Sequence, residues 1–243
     1  MKVLTWNIRH GGGSRIPAIA AAIAAHAPDV AILTEYRTVA GRVLRDRLRD
    51  AGYPHVREAP MVARQNGVAV ASRWPLVRLR RRSPLVPAHR WLEVHCPTLG
   101  ASFAAFYGPL EEHAFDSWWT SVRKVVARRV KSPFLLAGDF NTGLSVVDAP
   151  RDPFYCAHHF QALQDLGMCD AWRSQNPGAR DYSWFSIRGG REINGFRLDH
   201  ALVSPALTGR LTRAHYSHAE RKAGLSDHSI LIVELDGRRA VTA

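Results

Sequence analysis

The chain has 243 residues, 46% of them hydrophobic and 22% charged, which is enough for one sizeable core and too apolar for extensive disorder. Lys plus Arg number 33 against 21 Asp plus Glu, a formal charge of +12 that attracts polyanions, with nucleic acid the natural candidate. The three scattered cysteines form no CxxC pair, which excludes a disulfide scaffold and points to a reducing compartment.

In chain order, residues 2–6 read as a buried strand running into Asn7 and the glycine turn Gly11, Gly12 and Gly13. A helix is predicted over 15–25, capped by Ser14, with Pro17 in its first turn and residues 26–28 closing it. Residues 30–33 form a short apolar strand ending at Thr34 and Glu35, and 41–51 a helix with Val43, Leu44 and Leu48 on one face. Strands are predicted over 67–72, 91–95 and 102–107, the last ending in YGP. The spacing of Trp118, Val122, Val125 and Val126 predicts an amphipathic helix over 115–131 with a basic outer face, in which Trp118 and Trp119 serve packing. A buried strand over 134–137 stops at GDFN, residues 144–176 are mainly helix and loop with 160–166 the clearest helical piece, and 196–203 and 229–235 are the last strands. The run 78–82 reads as a charged strand edge or a track for a nucleic-acid backbone. No repeat or linker divides the chain, so one domain over residues 1–243 is expected. The N-terminus lacks a secretory apolar region and the longest apolar run, 18–25, is too short to span a bilayer, so a cytoplasmic protein without a membrane partner is expected.

Several apolar strands end in, or carry, polar residues: Asn7, Glu35, Tyr107, Asp139 with Asn141, and Asp199, while Asp227 and His228 precede the final strand. One carboxylate at a strand exit is ordinary turn chemistry. Several on neighbouring strands can converge on a crevice beyond the strand ends, where α/β proteins bind ligands. Asp199 is the most informative, because RLDHALV otherwise reads as a buried strand and an unpaired buried carboxylate costs several kcal/mol, on the order of its lost hydration. It needs a partner such as a histidine. His200 and His228 are both available, and strand alternation turns His200 to the opposite face, which favours His228. Glu35, Asp139 and Asp227 supply hard oxygen ligands, with Asn7 and Asn141 as carbonyl or amide partners, a set suited to Mg²⁺ or Mn²⁺ rather than to zinc.

The segments LTWNIRHGGG, ILTEY, FYGP, LLAGDFNT, YSWFSIR, FRLDHALVS and LSDHSILIVEL occur in an order and approximate spacing that resembles the endonuclease/exonuclease/phosphatase superfamily, and most of all its exonuclease III and abasic-site endonuclease branch. The resemblance runs from Asn7 to Leu235. It implies an α/β fold, a four-layer α/β sandwich of two mixed β-sheets flanked by helices. It further implies a metal-dependent phosphodiesterase of DNA repair, with abasic-site endonuclease or 3′-5′ exonuclease activity, acting as a monomer. By resemblance, Glu35 would hold the metal with Asn7 close by and Asp227 completing the site. Asp139 would orient or deprotonate the attacking water, Asn141 would help position it, His228 oriented by Asp199 would stabilise charge on phosphorus, and Tyr107 would contact the phosphate or assist the leaving group. Trp184 and Phe185 resemble an aromatic pair walling a nucleotide pocket, although Phe185 also reads as core, and Arg9, His10, Arg37 and Arg188 lie beside the motifs where they would clamp phosphates. Arg37 stands where the abasic-site enzymes carry a lysine, and the segments between Tyr107, Asp139 and Asp199 are shorter than in exonuclease III. Two other readings compete: a phosphatase or phosphodiesterase for RNA, inositol phosphates or lipid head groups, and a non-catalytic nucleic-acid-binding module.

Overall fold

Period-two alternation along the central strands decides the layering. In β1 (Lys2–Asn7), Val3 faces one way and Leu4 and Trp6 the other, and all three are buried, so this strand must be covered on both sides. The computed structural model, which describes residues 1–80, 86–110, 115–150 and 154–237, meets that demand with two mixed six-stranded sheets face to face. The first sheet has the order β13 (Leu211–Ser217), β14 (Ile230–Leu235), β1, β2 (Val30–Tyr36), β4 (Gly67–Ser72), β3 (His55–Glu58). The second has β5 (Val77–Arg78), β6 (Trp91–Cys96), β7 (Ala101–Tyr107), β8 (Phe134–Asp139), β12 (Asp199–Val203), β9 (Cys169–Asp170).

Val3, Val30, Ile32 and Val70 of the first sheet meet Phe103, Leu135, Ala137 and Val203 of the second in the central core. On the outer face of the first sheet, Ile19 and Ile23 of α1 (Ile16–His26) and Leu44 and Leu48 of α2 (Thr38–Asp50) cover Leu4, Trp6 and Leu33. On the outer face of the second, Trp119, Val122 and Val126 of α3 (Phe115–Arg129) and Phe160 and Leu163 of α4 (Ala157–Asp165) cover Phe106, Leu136 and Leu202. The four-layer α/β sandwich expected from the sequence is therefore the fold. Three short helices complete it: α5 (Ala171–Gln175), α6 (Pro205–Thr208) and α7 (Ala219–Lys222).

Each sheet contains one parallel pair, β1 with β2 and β7 with β8, connected through α1 and α3 respectively. Parallel strands joined by a crossover helix end on the same edge, so topology delivers Asn7 with Glu35 to one rim of the first sheet and Tyr107 with Asp139 to one rim of the second, and the packing of the sheets sets the two rims side by side.

Several local expectations are corrected. Ser14 does not cap α1: it lies in a 3-10 turn over Gly13–Arg15, and the helix begins at Ile16 with Pro17 in its first turn. The strand predicted over 196–203 is two elements, because a hairpin of β10 (Trp184–Arg188) and β11 (Arg191–Phe196) ends at Phe196 and β12 starts only at Asp199. Of the basic run 78–82, Arg78 lies in the edge strand β5, while Arg81 and Arg82 fall outside the described residues. Trp119 is buried and Trp118 half-buried, as their packing role requires. The three cysteines are unpaired, and among the described residues no helix is long and apolar enough to cross a membrane.

Candidate active site

Where the strands stop, polar side chains line one cavity of about 330 Å³, and Asn7 and Asp199 stand behind that lining, hydrogen-bonded to Asp139 and His228. Asn7 is the last residue of β1. Glu35 stands at an irregularity in the β2–β4 pairing, between Thr34 and Tyr36, with φ at 55°. A bulge re-aims a side chain out of the strand's alternation, and a left-handed glutamate is an uncommon conformation that persists only where the surroundings impose it. Tyr107 and Asp139 end the parallel strands β7 and β8 directly opposite one another, and Asp199 opens β12 opposite Asp139. His228 precedes β14 and bridges to Trp184 at the start of β10. Glu35, Tyr107, Asp139, Asn141, Asp227 and His228 line the cavity, with Trp184, Phe196, Leu110 and Leu198 as its apolar wall.

The hydrogen bonds make these groups one network. The Asn7 side-chain amide donates to Asp139 Oδ2 at 2.9 Å and to Glu35 Oε1 at 3.2 Å, while its carbonyl oxygen accepts from the Arg9 backbone N–H. Asn7 thus turns its NH₂ toward the carboxylates, holding the first sheet's rim against the second's. Glu35 also accepts from the Tyr107 hydroxyl at 3.2 Å and from the His10 backbone N–H at 2.7 Å. Asn141 donates its backbone N–H to Asp139 Oδ1 and its amide to the Gly108 carbonyl, adopting φ of 52° to do both. His228 Nδ1 donates to Asp199 Oδ2 at 2.7 Å, which leaves Nε2 turned toward the cavity, 3.9 Å from Asp139 Oδ2. The expected partner of Asp199 is therefore the actual one. His200, on the opposite face, donates Nε2–H to the Thr142 carbonyl.

Burial sets the electrostatics. Desolvation raises the Asp139 carboxyl well above the usual carboxylate range, against the pull of His228. Desolvation alone would keep the His228 ring neutral, but Asp199 and then Asp139 outweigh it and raise the ring's pKa, so imidazolium is the favoured form. Burial, then the charges of Asp139 and Glu35, push the Tyr107 hydroxyl upward, which keeps it a phenol able to donate.

A cation fits the donor set. Three carboxylates, Glu35, Asp139 and Asp227, surround one cavity in a strongly basic chain. Of the described arginines only Arg9, half exposed, is within ion-pair reach of one of them, with Nε 3.9 Å from Asp227. Asp139, Asp199 and His228 also bring donor atoms within 4.8 Å of one another. Outside the His228–Asp199 bond, His228 Nε2 stays open toward the cavity and Asp199 Oδ1 has no hydrogen-bond partner, and Glu35 and Asp227 add further carboxylates on the same cavity.

The flanking cations fall into different places. Arg9 stands beside Asp227, which lines the cavity, without lining it itself. Arg37 donates to Asn66 Oδ1 at 2.6 Å and to His10 Nδ1 at 3.0 Å, so His10 and Arg37 buttress Glu35 from behind. They line a neighbouring groove of about 850 Å³ that also includes Val39, Val43 and Met61. Arg188 stands opposite Arg191 at the far end of the hairpin, roughly 13 Å of strand beyond Trp184, and does not line the cavity. Trp184 does, donating Nε1–H toward Asp227 Oδ2 at 3.4 Å, whereas Phe185 lies under the Arg221 guanidinium outside it.

Sequence reasoning passed over the supports. Ser183 accepts from the backbone N–H groups of Leu198 and Asp199, and the Tyr216 hydroxyl donates to the Asp199 carbonyl. Fully buried Arg197, two residues before Asp199, donates to both Asp148 and Asp170. The signal for Arg197 was present, since an arginine beside a buried strand needs carboxylate partners, but nothing in the sequence marks Asp148 and Asp170 as those partners.

Against known proteins, the model of the Endonuclease/Exonuclease/phosphatase family matches residues 4–228. Exodeoxyribonuclease III of Haemophilus influenzae is 44% identical over 54 residues, covering 21% of this chain and 20% of that protein, so the sequence match spans about a fifth of the relative's length. A structure of the 3′ phosphatase NExo from Neisseria bound to product DNA hairpin superposes with a TM-score of 0.83 at 25% identity, covering 97% of this chain and 99% of that one. A structure of the 3′-5′ exonuclease NExo from Neisseria meningitidis gives 0.81 at 26% identity, covering 97% and 100%.

Proposed function

Because the chain belongs to the endonuclease/exonuclease/phosphatase family, we propose that it is a divalent-metal-dependent phosphodiesterase of DNA repair, acting as an abasic-site endonuclease, a 3′-5′ exonuclease, or both. The single observation that carries this reading is the convergence of Glu35, Asp139, Asp227 and the Asp199-supported His228 on one cavity at a shared strand rim. The NExo relatives, one bound to a DNA product, and exodeoxyribonuclease III support DNA as the substrate, as does the +12 charge. The enzyme works as a cytoplasmic monomer.

Glu35 and Asp227 would hold Mg²⁺ or Mn²⁺, with Asn7 beside them. Such an ion, when bound, supplies positive charge against the phosphate oxygens. Asp139, fixed by Asn7 and Asn141 and raised in pKa by burial, takes the proton from the attacking water. Asn141 orients that water. His228, kept as imidazolium by Asp199, presents Nε2–H to the non-bridging oxygen where charge builds. As the scissile P–O bond breaks, Tyr107, still a phenol, donates to the phosphate or to the departing oxygen once substrate competes with Glu35 for its hydroxyl. Trp184, with Phe196, Leu110 and Leu198, forms the apolar wall for a sugar or base beside the scissile bond. Arg9 meets a phosphate beside Asp227.

The test is a substrate panel with Mg²⁺ or Mn²⁺: end-labelled duplex with an abasic analogue, duplex with a recessed 3′ end or a 3′ phosphate, RNA, and inositol phosphates. Metal-dependent cleavage of a DNA substrate, absent in Asp139→Asn, is the expected result. Turnover confined to RNA or inositol phosphates would reject the DNA assignment, and turnover of none would reject the enzyme.

A further inference from the structure

A second cluster of donor side chains lies on the outer helical layer, on residues the proposed phosphodiesterase does not use. Asp116, in the first turn of α3, meets His158 and His159, in the first turn of α4, and one donor atom from each lies within 4.8 Å of the other two. His159 is buried and stacked on Trp119 at 6.0 Å and 12° between ring planes, so its orientation is set by the core. Its Nε2 is 2.9 Å from Asp116 Oδ1 and its buried Nδ1 has no hydrogen-bond partner. The ring of exposed His158 lies 4.0 Å from that of His159.

As a plain ion pair this is a poor arrangement. Burial lowers the His159 pKa, the Asp116 contact opposes that, and His158 and Arg123 add to it, so the ring is held toward its neutral form. A neutral imidazole can carry its proton on Nδ1 and turn the Nε2 lone pair toward Asp116, beside a second imidazole, where a cation takes the place of the shared proton. As a metal site it is coherent. Neutral imidazoles are ligands, two of them with a carboxylate form a donor set that suits zinc, and harder ions prefer all-oxygen sites. Zinc bonds of about 2.0–2.1 Å place neighbouring tetrahedral donors roughly 3.4 Å apart, a contraction that rotation of exposed Asp116 and His158 supplies while His159 stays fixed.

We propose that Asp116, His158 and His159 bind a zinc ion that ties the N-terminus of α3 to that of α4, with water in the remaining position. Both helices pack on the sheet that carries Asp139, but neither contributes a residue to the cavity lining. Zinc is therefore a structural cross-link, distinct from the catalytic ion.

The experiment is calorimetric titration of the metal-free full chain with ZnCl₂ in excess Mg²⁺, which fills the all-oxygen cavity, with Co²⁺ visible absorption as a report on nitrogen coordination. About one equivalent of zinc is expected to bind, with affinity at least about tenfold weaker in His158→Ala and in Asp116→Asn, while Mg²⁺-dependent turnover is unchanged in both. Both substituted residues are exposed, so neither change threatens folding. The absence of zinc binding in excess Mg²⁺, or unchanged affinity in both variants, would overturn the proposal. Zinc binding abolished by Asp139→Asn and retained in His158→Ala would overturn it too, by assigning the ion to the cavity.

Discussion

Glu35 spends backbone strain to face the cavity, and that strain is informative only because its carboxylate is also tied down by Asn7, Tyr107 and the His10 backbone. A charge held so firmly is suited to gripping a cation, so Glu35→Gln is expected to raise the half-activating Mg²⁺ concentration by at least about tenfold, with turnover partly restored at saturating metal. A metal titration of turnover reads this directly. Asp199 acts one bond further out. Asp199→Asn keeps the shape and removes the charge that favours imidazolium at His228, so kcat is expected to fall by about 10²-fold or more with the circular dichroism spectrum unchanged. At this scale the sequence was most legible where chemistry was least compatible with burial: Asp199 inside RLDHALV demanded a partner, and His228 supplies it. It was least legible for residues whose work is contextual. His10 and Arg37 look like phosphate clamps in the linear chain, and nothing there announces that they also buttress Glu35 and line a neighbouring groove.

Among the elements, strands buried on both faces were readable because continuous apolar runs have no other place in a layered fold: 67–72 matches β4, and the first and last strands fall close to their predicted spans. Edge elements were missed. β3 is four residues, HVRE, and no apolar face sets it apart, while β13 carries only a faint alternation in which Ala214 and Tyr216 are buried. The β10–β11 hairpin had a signal that went unused: Gly189 and Gly190, with φ of 58° and 75°, form the two-residue link between Arg188 and Arg191 that a right-twisted hairpin favours. Gly138, by contrast, has a role that only the pairing discloses. A Cβ built there lies 1.9 Å from the Phe106 carbonyl oxygen across the parallel β7–β8 pair, at φ of 147°. Gly138→Ala is expected to cost more than about 2 kcal/mol in urea unfolding and, by shifting the adjacent Asp139, to lower turnover as well. Wild-type stability in that variant would show that β7 and β8 separate freely there.

For the molecule as a whole, the two crossover connections pair Asn7 with Glu35 and Tyr107 with Asp139, the packing of one sheet on the other joins those pairs through the Asn7–Asp139 hydrogen bond, and Arg197 explains what holds the second sheet's end together. Burial alone would raise the carboxyls of Asp148 and Asp170, but the Arg197 guanidinium outweighs it and holds both below the usual range. Depressed carboxyls contribute stability that is fully present above the unfolded pKa of about 3.9 and is lost as pH falls below it toward the folded values. Unfolding free energy is thus expected to decline steeply with acid below about pH 4. Arg197→Met, which strands two buried carboxylates, is expected to cost about 3–5 kcal/mol at neutral pH and to flatten that acid limb. Denaturation curves from neutral pH down to about pH 2, well below the unfolded carboxyl pKa of about 3.9, measure both.

The proposed chemistry runs only if Asp139 and His228 act on a single phosphate. Single-turnover cleavage of the preferred substrate at saturating Mg²⁺, in wild type, Asp139→Asn and His228→Ala, tests it most directly. Each variant is expected to lose at least about 10²-fold in rate while remaining folded and still binding substrate. Rates within about threefold of wild type in either variant would contradict it, because a group that takes the water's proton or steadies the charged phosphate contributes far more than that.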